Sequence, residues 1–117
     1  MLRIDSLQWV KFGVEINDGR PYLSVVVTDG LSDWSTGEFL GDIHDFWLRL
    51  TLSAGVLRAQ VSYDGAHWPL VRLAPFPDTS TVRIGPMACS PNRKGLKVLF
   101  SDISITPPNG KGLHDLS

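Results

Sequence analysis

The stretch from Phe46 to Leu73, FWLRLTLSAGVLRAQVSYDGAHWPLVRL, leaves this chain few folds to adopt. Phe46, Leu48, Leu50 and Leu52 alternate with Trp47, Arg49 and Thr51, the period of two that marks a strand with one buried face. Ser53-Ala54-Gly55 breaks the run, and Gly55 supplies the left-handed conformation that a three-residue hairpin loop needs. Leu57, Ala59, Val61 and Tyr63 form the next apolar face, with Arg58, Gln60 and Ser62 opposite. Asp64-Gly65 is a hairpin signal. In the third strand Val71 and Leu73 lie on one side, and Trp68, Leu70 and Arg72 on the other. Ala74-Pro75-Phe76-Pro77 is expected to end the pairing, because proline has no N–H to donate. No segment keeps an i, i+3, i+4, i+7 pattern past a Gly or Pro, so a helical reading fails. The stretch reads as a three-stranded antiparallel meander.

The rest of the chain repeats this style. Leu2 to Asp5 reads as the end of a strand. In Trp9–Ile16, Val10, Phe12, Val14 and Ile16 share one face, and Trp9, Lys11, Gly13 and Glu15 the other. Asn17-Asp18-Gly19 turns the chain into Pro21–Asp29, where Leu23, Val25 and Val27 face away from Tyr22, Ser24, Val26 and Thr28. Ser32–Leu40 holds one or two short strands around Trp34, and 41–45 is a loop carrying His44. Val82, Ile84, Pro86 and Ala88 alternate in a further strand. Leu96–Ile105 is expected to be the last, with a bulge where its pattern slips at Ser101-Asp102. About eight strands with turns roughly every ten residues predict a single antiparallel β-sandwich or jelly roll over residues 1–105. Thr106–Ser117, with Pro107, Pro108, Gly110 and Gly112, reads as a flexible tail.

Composition narrows the partners. The chain has 117 residues, enough for one domain with a core, and a net charge of 11 − 12 = −1 with His neutral. That balance argues against nucleic acid or an anionic membrane as the main partner. Ten of the 12 acidic residues are Asp, as expected where carboxylates sit in turns. Cys89 is the only cysteine, so no internal disulfide forms, and the start MLRIDSLQWV has no signal-peptide pattern. The default expectation is a cytoplasmic protein.

WVKFGVE (9–15), GRPYLSVVVTDGLSDWS (19–35), FWLRL (46–50), VSYDGAHW (61–68), GPMACSP (85–91) and FSDI (100–103), taken in this order, resemble the DUF1349 family. The resemblance runs from Leu2 to Ile105. It implies the concanavalin A-like lectin/glucanase jelly roll, two curved sheets face to face. It also implies further N-terminal strands before the segment matching Leu2-Arg3-Ile4-Asp5. A jelly roll without them has bare edges, so a homodimer or swapped assembly that covers them is expected.

Alternation and hairpin pairing place Lys11, Glu15, Tyr22 and Ser24 on one sheet face, and together with Trp34 they are the candidate binding residues, expected to face one groove on a concave sheet. An aromatic plate beside charged and hydroxyl groups is the mixture a sugar site needs. Non-catalytic binding of a carbohydrate or sugar-like metabolite is the leading expectation. The alternative, implied by the family's enolase-linked member, is a protein-interaction module that regulates a metabolic enzyme. Hydrolysis would need two carboxylates about 5–10 Å apart. Glu15 and Glu38 are the only glutamates, and Glu15 with Asp29 or Asp33 is a conceivable pair, though those Asp residues sit at turns and suit capping there. Cys89 is expected as a small buried hydrophobe, and Asp42, His44 and Asp45 as solvated loop residues rather than metal ligands. Trp9, Trp47 and Trp68 are expected as core or edge cover. No phosphate loop, dinucleotide fingerprint or zinc pattern is present, and no cofactor is expected.

Overall fold

The computed structural model describes residues 1–79 and 81–117, and among these residues all regular structure is β. The strands are β1 (Leu2–Arg3), β2 (Gln8–Asn17), β3 (Arg20–Asp29), β4 (Leu31–Glu38), β5 (Trp47–Ser53), β6 (Val56–Ser62), β7 (Leu70–Pro75) and β8 (Arg83–Ile84). They form a five-stranded sheet in the order β4-β3-β2-β1-β8 and a three-stranded sheet in the order β5-β6-β7. Every pairing is antiparallel. This is the all-β sandwich that the alternation predicts. Among the described residues no helix is long and apolar enough to cross a membrane.

The large sheet is built on the β2–β3 hairpin. Its register runs unbroken from Gln8↔Asp29 to Asn17↔Arg20. Asp18 (φ 49°) and Gly19 (φ 75°) both take the left-handed conformation, as a two-residue hairpin turn of type I′ requires. Val10, Phe12, Leu23, Val25 and Val27 then face Leu57, Ala59, Val61 and Ala74 of the small sheet in one buried cluster. Burial of each large aliphatic side chain there contributes about 1.5–3 kcal/mol. Phe39 closes one end of the sandwich, edge-on to Phe46 at 5.0 Å and to Tyr63 at 5.3 Å between ring centroids.

The meander differs from its expected form in four places. The β5–β6 connection is a two-residue turn, Ala54 (φ 50°) and Gly55 (φ 75°), because Ser53 already pairs with Val56. Asp64-Gly65 is not a tight hairpin but part of a longer loop, since β6 ends at Ser62 and β7 begins at Leu70. β7 carries an irregularity: Gln60 pairs with Leu70 while Ala59 pairs with Arg72. The extra residue, Val71, puts Leu70 and Arg72 on opposite faces, which alternation alone could not foresee. Pro75 stays in the ladder opposite Val56, which an outer strand tolerates because its missing donor can point away from the sheet.

The C-terminal third departs further. Only Arg83 and Ile84 of the expected strand 82–89 pair, with Arg3 and Leu2. Leu96–Ile105 forms no strand. Its alternation is present, but among the described residues no neighbouring strand offers a ladder to it, and Leu96, Val98 and Phe100 stay about half exposed. The slip at Ser101-Asp102 is marked by Asp102 at φ 53°, a left-handed residue rather than a ladder bulge. Residues 109–117 lie across the outer face of the small sheet. Arg58 donates to the Asn109 side chain and to the carbonyls of Lys111 and Gly112, and the Trp68 N–H donates to the Leu116 carbonyl at 2.6 Å.

Candidate functional site

Residues directly opposite in an antiparallel ladder project to the same face. The register therefore sets three rows across the outer face of the large sheet: Lys11, Val26 and Trp34; Gly13, Ser24 and Thr36; Glu15, Tyr22 and Glu38. All five candidate residues lie on this face. Lys11 Nζ sits 3.2 Å from Glu15 Oε1, so the two charges satisfy each other. The Trp34 indole N–H donates to Ser24 Oγ at 3.0 Å. Ser24 is fully buried, while Trp34 is 61 % exposed. The hydrogen bond pins one edge of the indole and leaves much of the ring to solvent. Tyr22 lies at the other end of the face, in a shallow depression shared with Arg20, Glu38 and Leu40. The face offers a surface more than a cleft.

The pairs that Glu15 would make with Asp29 or Asp33 do not come together here. Glu15 pairs with Tyr22 and Asp29 with Gln8, seven positions apart along β2. At a rise of about 3.3 Å per residue that is roughly 23 Å, far beyond a glycosidase separation. Asp33 pairs with Val27, whose side chain belongs to the core, so it lies on the opposite face from Glu15. Asp42 accepts the His44 N–H at 2.9 Å, a local turn bond. Among the described residues no three His, Cys, Asp or Glu side chains converge as metal ligands would. Cys89 is exposed, contrary to its expected burial, because the GPMACSP segment leaves the sheet after Ile84 and meets no core.

The loop 63–69 brings Ser62, Asp64 and His67 together, residue types that invite a catalytic reading. Asp64 Oδ1 accepts the N–H groups of Ala66 and His67, both at 2.8 Å, and Oδ2 lies 2.7 Å from His67 Nδ1. Ser62 Oγ donates to the same carboxylate at 3.1 Å and accepts the Gly65 N–H. The His67 backbone, the His67 ring and the Ala66 backbone hold the Asp64 carboxyl well below the usual carboxylate range. A serine nucleophile needs its hydroxyl on the imidazole. Here the hydroxyl is on the carboxylate and fully buried, so the trio is a clamp that shapes the loop.

The outer face of the small sheet is the feature that sequence reasoning missed. Arg49 pairs with Gln60 and Thr51 with Arg58, so both guanidinium groups and the Gln60 amide share this face. Alternation marked the polar side of β6 correctly but implied solvent there. Arg58 is in fact 6 % exposed and Gln60 2 %. The Arg49 guanidinium stacks 3.7 Å from the centroid of the Trp68 ring. Burial, together with the neighbouring Arg58 charge, lowers the pKa of Arg49. No local pattern in Asn109–Ser117 announces that it would fold back onto this face.

A family model described as a protein of unknown function (DUF1349) matches residues 1–108. The chain belongs to the DUF1349 family. It is 59% identical over all 117 residues to a Saccharomyces cerevisiae protein named Regulation of enolase protein 1, and it spans 59% of that protein's length. A crystal structure of a functionally unknown protein from the same yeast matches with a TM-score of 0.75 at 56% identity, over 79% of this chain and 50% of that one. The chain thus spans about half to three-fifths of the length of the relatives it matches. The motifs that carry the DUF1349 resemblance fall at distinct places. WVKFGVE is the body of β2, and VSYDGAHW is the end of β6 with the Asp64 loop. FSDI lies in the unpaired segment after β8.

Proposed function

We propose that this chain is a protein-interaction module that regulates a metabolic enzyme, with enolase as the client to test first. The observation that carries the reading is its 59% identity, over its whole length, to the yeast protein named Regulation of enolase protein 1. The surface supports it. The outer face of the large sheet is open, and Leu96, Val98, Phe100, Ile103 and Ile105 stand in solvent in an unpaired segment. Apolar side chains along extended, unpaired backbone suit strand addition to a protein partner. A self-associated homodimer would use the same segment, and the cytoplasm is the compartment that goes with this reading.

The test is purified chain titrated into purified enolase, with enolase turnover followed alongside light scattering of the mixture. A saturating change in turnover together with a complex heavier than either component is the expected result. No change in rate and no complex at tenfold excess of chain would sink the regulatory reading. A species at twice the protomer mass without enolase would assign the exposed segment to self-association.

One observation favours a second reading, carbohydrate binding. Trp34 presents an exposed indole beside Lys11, Glu15 and Tyr22, with only its N–H committed, to Ser24. A glycan-array hit that saturates on wild type and disappears in Trp34→Ala would support it, and a blank array would leave the face without a sugar role.

A further inference from the structure

Two guanidinium groups lie side by side on the outer face of the small sheet. The ion pairs among the described residues are Lys11–Glu15, His67–Asp64 and Arg72–Asp33, none of which involves Arg49 or Arg58. Arg58 is buried, yet its hydrogen bonds go to neutral oxygens: Asn109 Oδ1 at 3.0 Å and the carbonyls of Lys111 and Gly112 at 3.2 and 3.3 Å. Arg49 donates to an oxygen of Ser117 at 3.3 Å. Asp115 feels the Arg58 charge, but its carboxylate accepts from Ser117. Burying a cation with no anion in direct contact is costly, and two like charges on one face add to that cost. Dipoles of a folded-back chain compensate less well than a carboxylate or phosphate, which guanidinium binds in a bidentate fork.

A second observation points the same way. The Gln60 amide nitrogen donates to the Trp68 carbonyl at 2.7 Å, which fixes its orientation. Its Oε1 is then left buried with no donor among the described residues. A buried acceptor without a partner is rare and calls for an explanation. Gln60 is directly opposite Arg49 in the ladder. An acceptor beside two cations is complementary to a hydroxyl next to an oxyanion.

We propose that the face formed by Arg49, Arg58 and Gln60 is a binding site for a hydroxylated oxyanion, either a hydroxycarboxylate or a phosphorylated polyol, and that residues 109–117 are a strap that the ligand displaces. The guanidinium groups hold the oxyanion and Gln60 Oε1 accepts the hydroxyl. In the free protein the strap fills the site with Asn109 Oδ1 and main-chain oxygens. Apparent affinity is reduced by the fraction of molecules in which the strap is down, so weakening the strap tightens binding.

The full-length chain, labelled with nitrogen-15, would be titrated with sodium tartrate and separately with glycerol 1-phosphate, against sodium chloride at matched ionic strength. The expected result is a saturating shift of the Gln60 side-chain amide with at least one of the two, none with chloride, and faster hydrogen exchange at the Trp68 amide as Leu116 leaves it. Tartrate alone would identify the carboxylate source and glycerol 1-phosphate alone the phosphate source. Asn109→Ala should bind about fivefold more tightly, the scale of one lost hydrogen bond. Arg58→Gln should bind at least tenfold more weakly. If that variant fails to fold, Arg49→Gln replaces it with the same expectation. No saturation by either probe, or unchanged affinity in the arginine variants, overturns the site. Unchanged affinity in Asn109→Ala, or protection retained at the Trp68 amide, overturns the strap.

Discussion

Arg72 Nη2 donates to Asp33 Oδ2 at 2.7 Å, tying β7 of the small sheet to β4 of the large one. Its Nη1 donates to Ser35 Oγ at 2.8 Å. β4 presents Asp33 and Ser35 on the side where its neighbour β3 presents Val27 and Val25. Along this border the sandwich is closed by a charged fork instead of apolar packing. Arg72→Ala should therefore lower stability by about 1–2 kcal/mol, from two lost hydrogen bonds and the packing of the stem. Asp33→Asn should lose less, about 0–1 kcal/mol, because the carboxylate is mostly in water. Urea unfolding of both variants checks the order, and equal losses would show that the charge pairing outweighs the packing.

The bonding of Arg72 also shows where the sequence stops being informative. The alternation of Val10, Phe12, Val25 and Val27 identified the β2–β3 hairpin and the face it turns to the core. It assigned Arg72 to the same side as Leu70, because a bulge at Val71 leaves no mark in a hydrophobic pattern. The candidate face behaved similarly. Local alternation placed Lys11, Glu15, Tyr22 and Ser24 on one side of the sheet, and the pairing of Trp34 with Val26 adds the indole to it. What covers Arg58 depends on contacts across more than fifty residues of chain, with Asn109 and Gly112, and period two carries no signal at that distance. The alternation at Leu96, Val98 and Phe100 records an intrinsic readiness for a strand. Whether a strand forms is decided by a neighbour that offers hydrogen bonds.

Gly41 is fixed by a neighbour and not by its backbone angles. A Cβ added there would run into the Tyr63 ring. That ring is packed edge-on against Phe39, which also holds Phe46, so it has little freedom to move aside. Gly41→Ala should destabilise by about 1–3 kcal/mol through overpacking. The double variant Gly41→Ala, Tyr63→Ala should lose less than the sum of the two single changes. Additive losses in a thermal-melt cycle would place the Gly41 effect elsewhere.

Cys89 stands in solvent beyond the last paired strand. A thiol there reacts with a disulfide reagent at a rate set by its thiolate fraction and not by unfolding. Native protein should therefore label completely, at a rate within about threefold of that in denaturant. Labelling that waits for denaturant would mean that GPMACSP packs against something in solution, and the natural candidate is another copy of the chain.

Asp64 gives the loop 63–69 a pH dependence of defined sign. The His67 backbone N–H, the His67 ring, the Ala66 N–H and the Ser62 hydroxyl together hold its folded-state carboxyl below the ordinary value of 3.8. A depressed carboxyl contributes stability that is fully present above the unfolded-state value and is lost as pH falls toward the folded one. Asp64→Asn removes the charge and with it the linkage. Wild type should melt at the higher temperature at neutral pH, by an amount that begins to shrink only as pH falls below the ordinary carboxylate value and keeps shrinking on further acidification. The carboxylate is solvent-accessible, so the neutral-pH gap should be modest. A gap that widens on acidification would reverse the sign and mean that the unfolded chain, not the folded loop, stabilises the Asp64 charge.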